Sequence, residues 1–85
     1  MSVTDDEWRE ARARIAKDTG WPPGVLGTCR DLEAEFDGWR VTYYTGRQAE
    51  HPRPDFSARH KDLVFFHPHA DALRTMIAAE EAASP

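Results

Sequence analysis

The segment Leu63-Val64-Phe65-Phe66 has four consecutive large apolar side chains. Successive side chains of a β-strand point to opposite faces of the sheet, so a strand with one solvated face alternates between apolar and polar residues. This segment does not alternate, and it predicts a strand with apolar side chains on both faces. Because the chain has only 85 residues, few other elements are available to cover two sheet faces.

Three segments have the apolar periodicity of amphipathic helices, and we predict helices over 5–18, 28–37 and 69–82. Thr4-Asp5-Asp6-Glu7 is a capping-box sequence, which favours a helix start at this point. The predicted buried stripes are Trp8, Ala11 and Ile15 in the first helix, Val25, Cys29, Leu32 and Phe36 in the second, and Ala70, Leu73 and Ile77 in the third. Each of these three helices is therefore expected to bury one face.

Two segments, 39–45 and 62–67, are rich in aromatic and β-branched residues and predict strands. Residues 46–61 between them are predicted to form a long, Pro-containing loop, with a short strand near 47–50 as an alternative. The order helix-helix-strand-strand-helix predicts an α+β domain with a small antiparallel sheet packed against helices. The whole chain, 1–85, is expected to be a single small domain with a frayed tail at 83–85.

The second face of this sheet would expose Tyr44, Val64 and Phe66 unless something covers it. In one interpretation, a helix or the long loop folds across the face. In the other, the face or the open strand edge pairs with another chain, either as a homodimer or with a partner strand. The residues alone leave both interpretations open.

The charge distribution is uneven along the chain. The formal net charge is −4, yet residues 39–61 contain five basic and two acidic side chains, a net of +3, with aromatic residues between them. No apolar run approaches the roughly 20 residues that span a bilayer, so no membrane association is expected. The N-terminus has no secretory signal pattern and Cys29 is the only cysteine, which favours a cytoplasmic location.

Candidate catalytic and metal-binding residues are few. His67-Pro68-His69 is a weak zinc-ligand pattern, and His51 and His60 precede it, but we favour a structural role for these histidines over a metal site. Cys29 lies on a predicted core stripe, which favours burial over nucleophilic chemistry. Glu33, Glu35 and Asp37 are expected on a solvated helix side. We therefore predict no enzymatic activity, no cofactor and no bound metal.

The segments Leu32-Glu-Ala-Glu-Phe-Asp-Gly-Trp39-Arg-Val41 and Ala70-Asp-Ala-Leu-Arg-Thr-Met-Ile77 resemble small actinobacterial proteins of unassigned function. Those proteins have a helix that ends in a Leu-Glu-x-x-Phe-x-Gly-Trp corner, a short sheet and a closing helix. The resemblance covers residues 26–80 and implies the same α+β arrangement. It implies no activity and no site residue.

These observations predict a small cytoplasmic, non-catalytic protein-interaction or regulatory module that binds a protein partner or itself. Interface anchors are enriched in Tyr, Phe and Arg. The predicted partner-binding residues are Tyr44, Val64 and Phe66 on the second sheet face, and Arg47, Arg53 and Phe56 in the long loop. The alternative is a nucleic-acid-binding module that uses the basic, aromatic segment 39–61.

Overall fold

The computed structural model describes residues 4–83, which form three helices and one three-stranded antiparallel sheet. The elements are α1 (Asp5–Thr19), α2 (Val25–Glu35), β1 (Arg40–Thr45), β2 (Pro54–His60), β3 (Leu63–His67) and α3 (Ala70–Ala83). The predicted α+β fold with a small antiparallel sheet packed against helices is confirmed. The predicted frayed tail falls mainly on Ser84 and Pro85, which lie outside the described residues, whereas Ala83 ends α3.

Part of the predicted long loop is in fact a strand. Pro54–His60 forms β2, which lies between β1 and β3 and pairs antiparallel with both. The loop itself is therefore limited to residues 46–53. Pro54 is compatible with this position because it is the first residue of the strand. The strand contains the small residues Ser57 and Ala58, which weakens the aromatic and β-branched signal of a strand in the sequence.

The strand register sorts side chains onto two faces. Val41 lies opposite Ala58, which lies opposite Phe65, and this row points towards α2 and α3. The neighbouring row, Thr42, Ser57 and Phe66, points the other way. We call this second side the open face. Its residues are Arg40, Thr42, Tyr44, Asp55, Ser57, Arg59, Val64 and Phe66.

The hydrophobic core lies between the sheet and the helices α2 and α3. Its buried members are Cys29, Leu32, Trp39, Val41, Phe56, Ala58, Leu73 and Ile77. Trp39 stacks on Phe65 with ring centroids 5.7 Å apart, and its Nε1 donates to a carboxylate oxygen of Glu81 at 2.8 Å. Core packing therefore follows the predicted stripes of the second and third helices.

The predicted stripe of the first helix is wrong. The buried residues of α1 are Arg12 and Ala16, whereas Ala11 is exposed and Ile15 is 47% exposed. Trp8 remains half-buried. The physical reason is that α1 lies beside the edge strand β1 and turns the guanidinium of Arg12, rather than an apolar stripe, towards the interior.

Arg12 and Glu33 occupy the free edge of β1 at Val41. One carboxylate oxygen of Glu33 accepts from the backbone N–H of Val41 at 2.8 Å, and Nη1 of Arg12 donates to the Val41 carbonyl at 2.9 Å. The two charged groups lie 2.6 Å apart, with 1% and 8% of their side chains exposed. They occupy the outward hydrogen-bonding groups of Val41 as a neighbouring strand would. The expectation that Glu33 is a solvated surface carboxylate is therefore wrong.

Removing one partner of this buried pair should be severely destabilising. We expect Arg12→Ala to lower the free energy of unfolding by about 3–5 kcal/mol, because it leaves the Glu33 carboxylate buried without its cation. Urea unfolding followed by circular dichroism measures the change. Arg14→Ala, on the exposed side of the same helix, is the matched control and should change stability by less than about 0.5 kcal/mol. Equal effects of the two substitutions would contradict this role for Arg12.

Candidate functional site

A groove of about 600 Å³ lies on the open face, beside α1. The small side chains of Thr42 and Ser57 form the lowest part of its floor, and Trp8 and Ile15 of α1 form one side. The remaining lining residues are Arg40, Tyr43, Tyr44, Gln48, Arg59, Val64 and Phe66. The groove exists because α1 is held at the edge of the sheet and does not lie across it.

Apolar side chains around this groove are exposed to solvent. Phe66 is 43% exposed, Ile15 is 47% exposed and Val64 is 36% exposed. Leu63, at the start of β3, is also exposed, but it does not line the groove, because alternation along the strand places it on the face opposite Val64. Contiguous exposed apolar surface on a small protein commonly marks an interaction site.

The loop 46–53 covers one end of the open face. Its His51 ring stacks on Phe66, with centroids 5.0 Å apart, and lies 4.7 Å from the Tyr44 ring. Nε2 of His51 lies 2.7 Å from a carboxylate oxygen of Asp55, whose side chain is only 3% exposed. The interpretation in which the long loop folds across the second face is therefore confirmed in part, because the loop covers the Tyr44 end. Pairing of the face or of a strand edge with another chain stays a prediction.

The structure brings together most, but not all, of the predicted partner-binding residues. Tyr44, Val64 and Phe66 line the groove as predicted. Arg47 and Arg53 are exposed on the adjoining loop, where Arg53 Nε lies 3.4 Å from Asp55.

Phe56 does not belong to this surface. It is 8% exposed in the core, in an edge-on contact with Tyr43 at 5.0 Å. The sequence predicts an accessible loop at this position, whereas the pleat of β2 turns Phe56 towards the helices.

Two arginines face each other across neighbouring strands of the open face. Arg40 of β1 and Arg59 of β2 are directly opposite in the register. Arg40 lies 3.9 Å from Asp5 and over the Trp8 ring. Arg59 is exposed and has no ion pair or side-chain hydrogen bond with residues 4–83. Directly opposed like charges are unfavourable in a sheet.

Several residues of this surface were not predicted. Ile15 was assigned to a buried stripe, and His51, Asp55 and Arg59 were not singled out as partner-binding residues. An Ile at i+7 from Trp8 is equally compatible with a half-exposed groove wall, so periodicity alone does not separate the two. Arg59 becomes conspicuous only with the register, which depends on recognising β2.

The histidines at the end of β3 and the cysteine make local structural contacts. Among residues 4–83, no group of three or more His, Cys, Asp or Glu side chains is arranged to hold a metal ion. His67 accepts from the backbone N–H of His69 through Nδ1 at 3.0 Å, which is a corner contact. Cys29 is buried in the core, and this burial raises the pKa of its thiol to about 12.

The Cys29 thiol should be unreactive in the folded protein. We expect no modification by a thiol reagent at about pH 8 until urea exposes the residue. Because the ordinary pKa of the thiol is 9.0, the contribution of Cys29 to the free energy of unfolding should be complete well below that pH and should be lost as the pH rises towards 12. The free energy of unfolding measured as a function of pH tests this dependence, with Cys29→Ala as the control. The variant should lose less stability at alkaline pH than the unaltered protein, because it has no thiol to ionise. Rapid labelling of the native protein would contradict the expected lack of reactivity.

His51 should hold the loop against the open face. We expect His51→Ala to lower the free energy of unfolding by about 1–3 kcal/mol, since the buried Asp55 carboxylate loses its closest partner. Thermal unfolding measures stability, and the NMR signals of Tyr44 and Phe66 report the lost ring stacking. His69→Ala, at an exposed histidine, is the control. Unchanged ring signals in His51→Ala would show that the loop does not depend on this stack.

No protein-family model, curated protein or solved structure matches this chain significantly. The resemblance to small actinobacterial proteins stays a prediction. No helix within residues 4–83 has the length and apolar character needed to cross a membrane.

Proposed function

We propose that this protein is a small, non-catalytic interaction or regulatory module that binds a protein partner, or a second copy of itself, through the open face and the loop 46–53. The observation that carries the proposal is the groove itself, with Ile15, Val64 and Phe66 exposed around it. Folding leaves these side chains in water, and binding a second chain would remove them from it.

The composition of this surface supports a protein partner. Tyr44 and Phe66 supply aromatic area, and Arg53 and Arg59 supply charge at opposite ends of the face. An apolar centre with an arginine-containing border is the usual anatomy of a protein–protein interface. A cytoplasmic location is part of the proposal and rests on the sequence: a lone, buried Cys29 cannot form an internal disulfide.

Nucleic-acid binding through segment 39–61 has weaker support. A single-strand platform needs exposed aromatic rings beside the basic residues. Trp39 and Phe56 are buried in the core, and Tyr43 packs against it. Of the aromatic residues in that segment, Tyr44 is the one on the open face.

The proposal predicts that partner binding depends on the exposed apolar residues. The tagged protein is used to capture proteins from an extract of its source cells, with and without nuclease, and each retained protein is purified for titration calorimetry. We expect a retained protein whose dissociation constant rises about tenfold or more with Val64→Asp plus Phe66→Asp, because interface anchors of this kind contribute about 2 kcal/mol. Charge reversal at the exposed Arg47 should weaken the same complex without changing the melting temperature. Charge reversal at Arg53 should weaken it too, but should also lower the melting temperature, because a carboxylate would replace the guanidinium that lies 3.4 Å from Asp55.

The matched control is Ala78→Asp, which places a carboxylate at an exposed position of α3. It should leave the dissociation constant unchanged. Complexes that vanish with nuclease, or a partner that binds the open-face variant as tightly as the unaltered protein, would contradict the proposal. Self-association that is abolished by the same open-face variant would support the form in which the partner is a second copy.

A further inference from the structure

We propose that the groove on the open face binds an amphipathic α-helix of a partner protein, with the partner's carboxylates seated against the Arg40–Arg59 row. This inference rests on the proposed function and names the class of its partner. It is carried by the charge of the groove and by its dimensions, and it is supported by the contacts of Arg12 and Glu33 with the outer edge of β1 at Val41.

The charge of the groove selects an acidic partner. Its charged lining residues within the described chain are Arg40 and Arg59, and no carboxylate lines it. This is opposite in sign to the chain as a whole, which carries −4. Arg59 lies directly opposite another arginine without an ion pair of its own in residues 4–83. A carboxylate from a partner would relieve this cross-strand repulsion and gain a charge-assisted hydrogen bond.

The same charges disfavour a second copy docked face to face. The Arg40 and Arg59 row lies at one end of the open face, and the loop at the other end exposes Arg47 and Arg53. A two-fold axis through the face brings arginines of one copy to arginines of the other in either orientation. Opposed like charges at an interface disfavour association, so an acidic heterologous partner fits better than a second copy.

The dimensions of the groove fit a helix. Three strands about 4.8 Å apart give a floor about 10 Å wide, which is close to the diameter of an α-helix. Thr42 and Ser57 keep the centre of the floor low, and Ile15 and Phe66 rise on its two sides. An added strand pairs with a sheet edge instead of a sheet face, and at the β1 edge beside the groove the Arg12–Glu33 pair already occupies the outward groups of Val41.

The test uses two synthetic helices of about 18 residues, roughly 27 Å long, with the same leucine stripe. One has Glu on both flanks of the stripe and the other has Lys. Binding to the full-length protein is measured by fluorescence anisotropy and located by NMR shifts of Val64 and Phe66. We expect the Glu-flanked helix to bind in the groove, more weakly as salt rises, and the Lys-flanked helix to leave these signals unchanged.

Arg59→Glu provides a discriminating variant. It should raise the dissociation constant of the Glu-flanked helix about tenfold. The melting temperature should stay the same or rise, because the substitution replaces two opposed arginines with an opposite-charge pair. Arg59→Lys should retain most of the binding. Arg30→Glu, at an exposed position of α2, is the control with the same charge change and should have no effect.

The inference would be overturned if neither helix binds, or if the Lys-flanked helix shifts the signals of Val64 and Phe66 as strongly as the Glu-flanked helix does. It would also be overturned if Arg59→Glu leaves binding of the Glu-flanked helix unchanged, or if self-association of the protein occupies the groove. A captured partner that depends on Val64 and Phe66 but docks through an extended strand would overturn the helix while leaving the proposed function in place. If Val64→Asp plus Phe66→Asp changes the binding of no captured partner, both the proposed function and this inference are contradicted.

Discussion

The buried pair Arg12–Glu33 determines how the rest of the domain is arranged. A carboxylate on α2 and a guanidinium on α1 meet at the backbone of Val41, so one contact joins two helices and the edge of the sheet. Trp8 adds a third donor to the same Glu33 oxygen at 2.8 Å. Burying two charges is unfavourable unless their hydrogen bonds are made, and here the outward groups of the edge strand supply part of that requirement.

This contact also explains where the apolar surface is left exposed. Because Arg12 must reach Val41, α1 lies along the outside of β1, and neither face of the sheet receives its apolar residues in full. Trp8 and Ile15 instead become one side of the groove. The other two helices cover the core face, and the loop 46–53 reaches only the Tyr44 end of the open face through His51. The groove is present because α1 lies along the edge of β1 and does not cover the open face.

The fold was accessible from the sequence to the extent that local patterns determine it. The capping box at Thr4, the stripes of α2 and α3, and the two-sided apolar segment 63–66 are short-range signals, and they predict the α+β class. The strand β2 was missed because Pro54 and the small residues Ser57 and Ala58 resemble a loop until both neighbouring strands are in place. Arg12 and Glu33 look like surface residues of polar helix sides, since nothing local shows that they pair 21 positions apart.

The residues of the candidate site likewise divide into those that local patterns predict and those that depend on long-range pairing. Tyr44, Val64 and Phe66 could be predicted because alternation along a strand assigns them to one face without further information. The role of Arg59 could not be predicted, because it depends on the position of Arg59 directly opposite Arg40. That position follows only from the register of β2, a strand that the sequence pattern does not indicate. An opposed arginine pair weakens the free domain slightly, whereas a partner carboxylate converts it into a favourable contact. Under the proposed function, the two arginines make the groove a better match for an acidic partner than for a second copy of the same face, and they add a charge criterion that the apolar side chains alone do not supply.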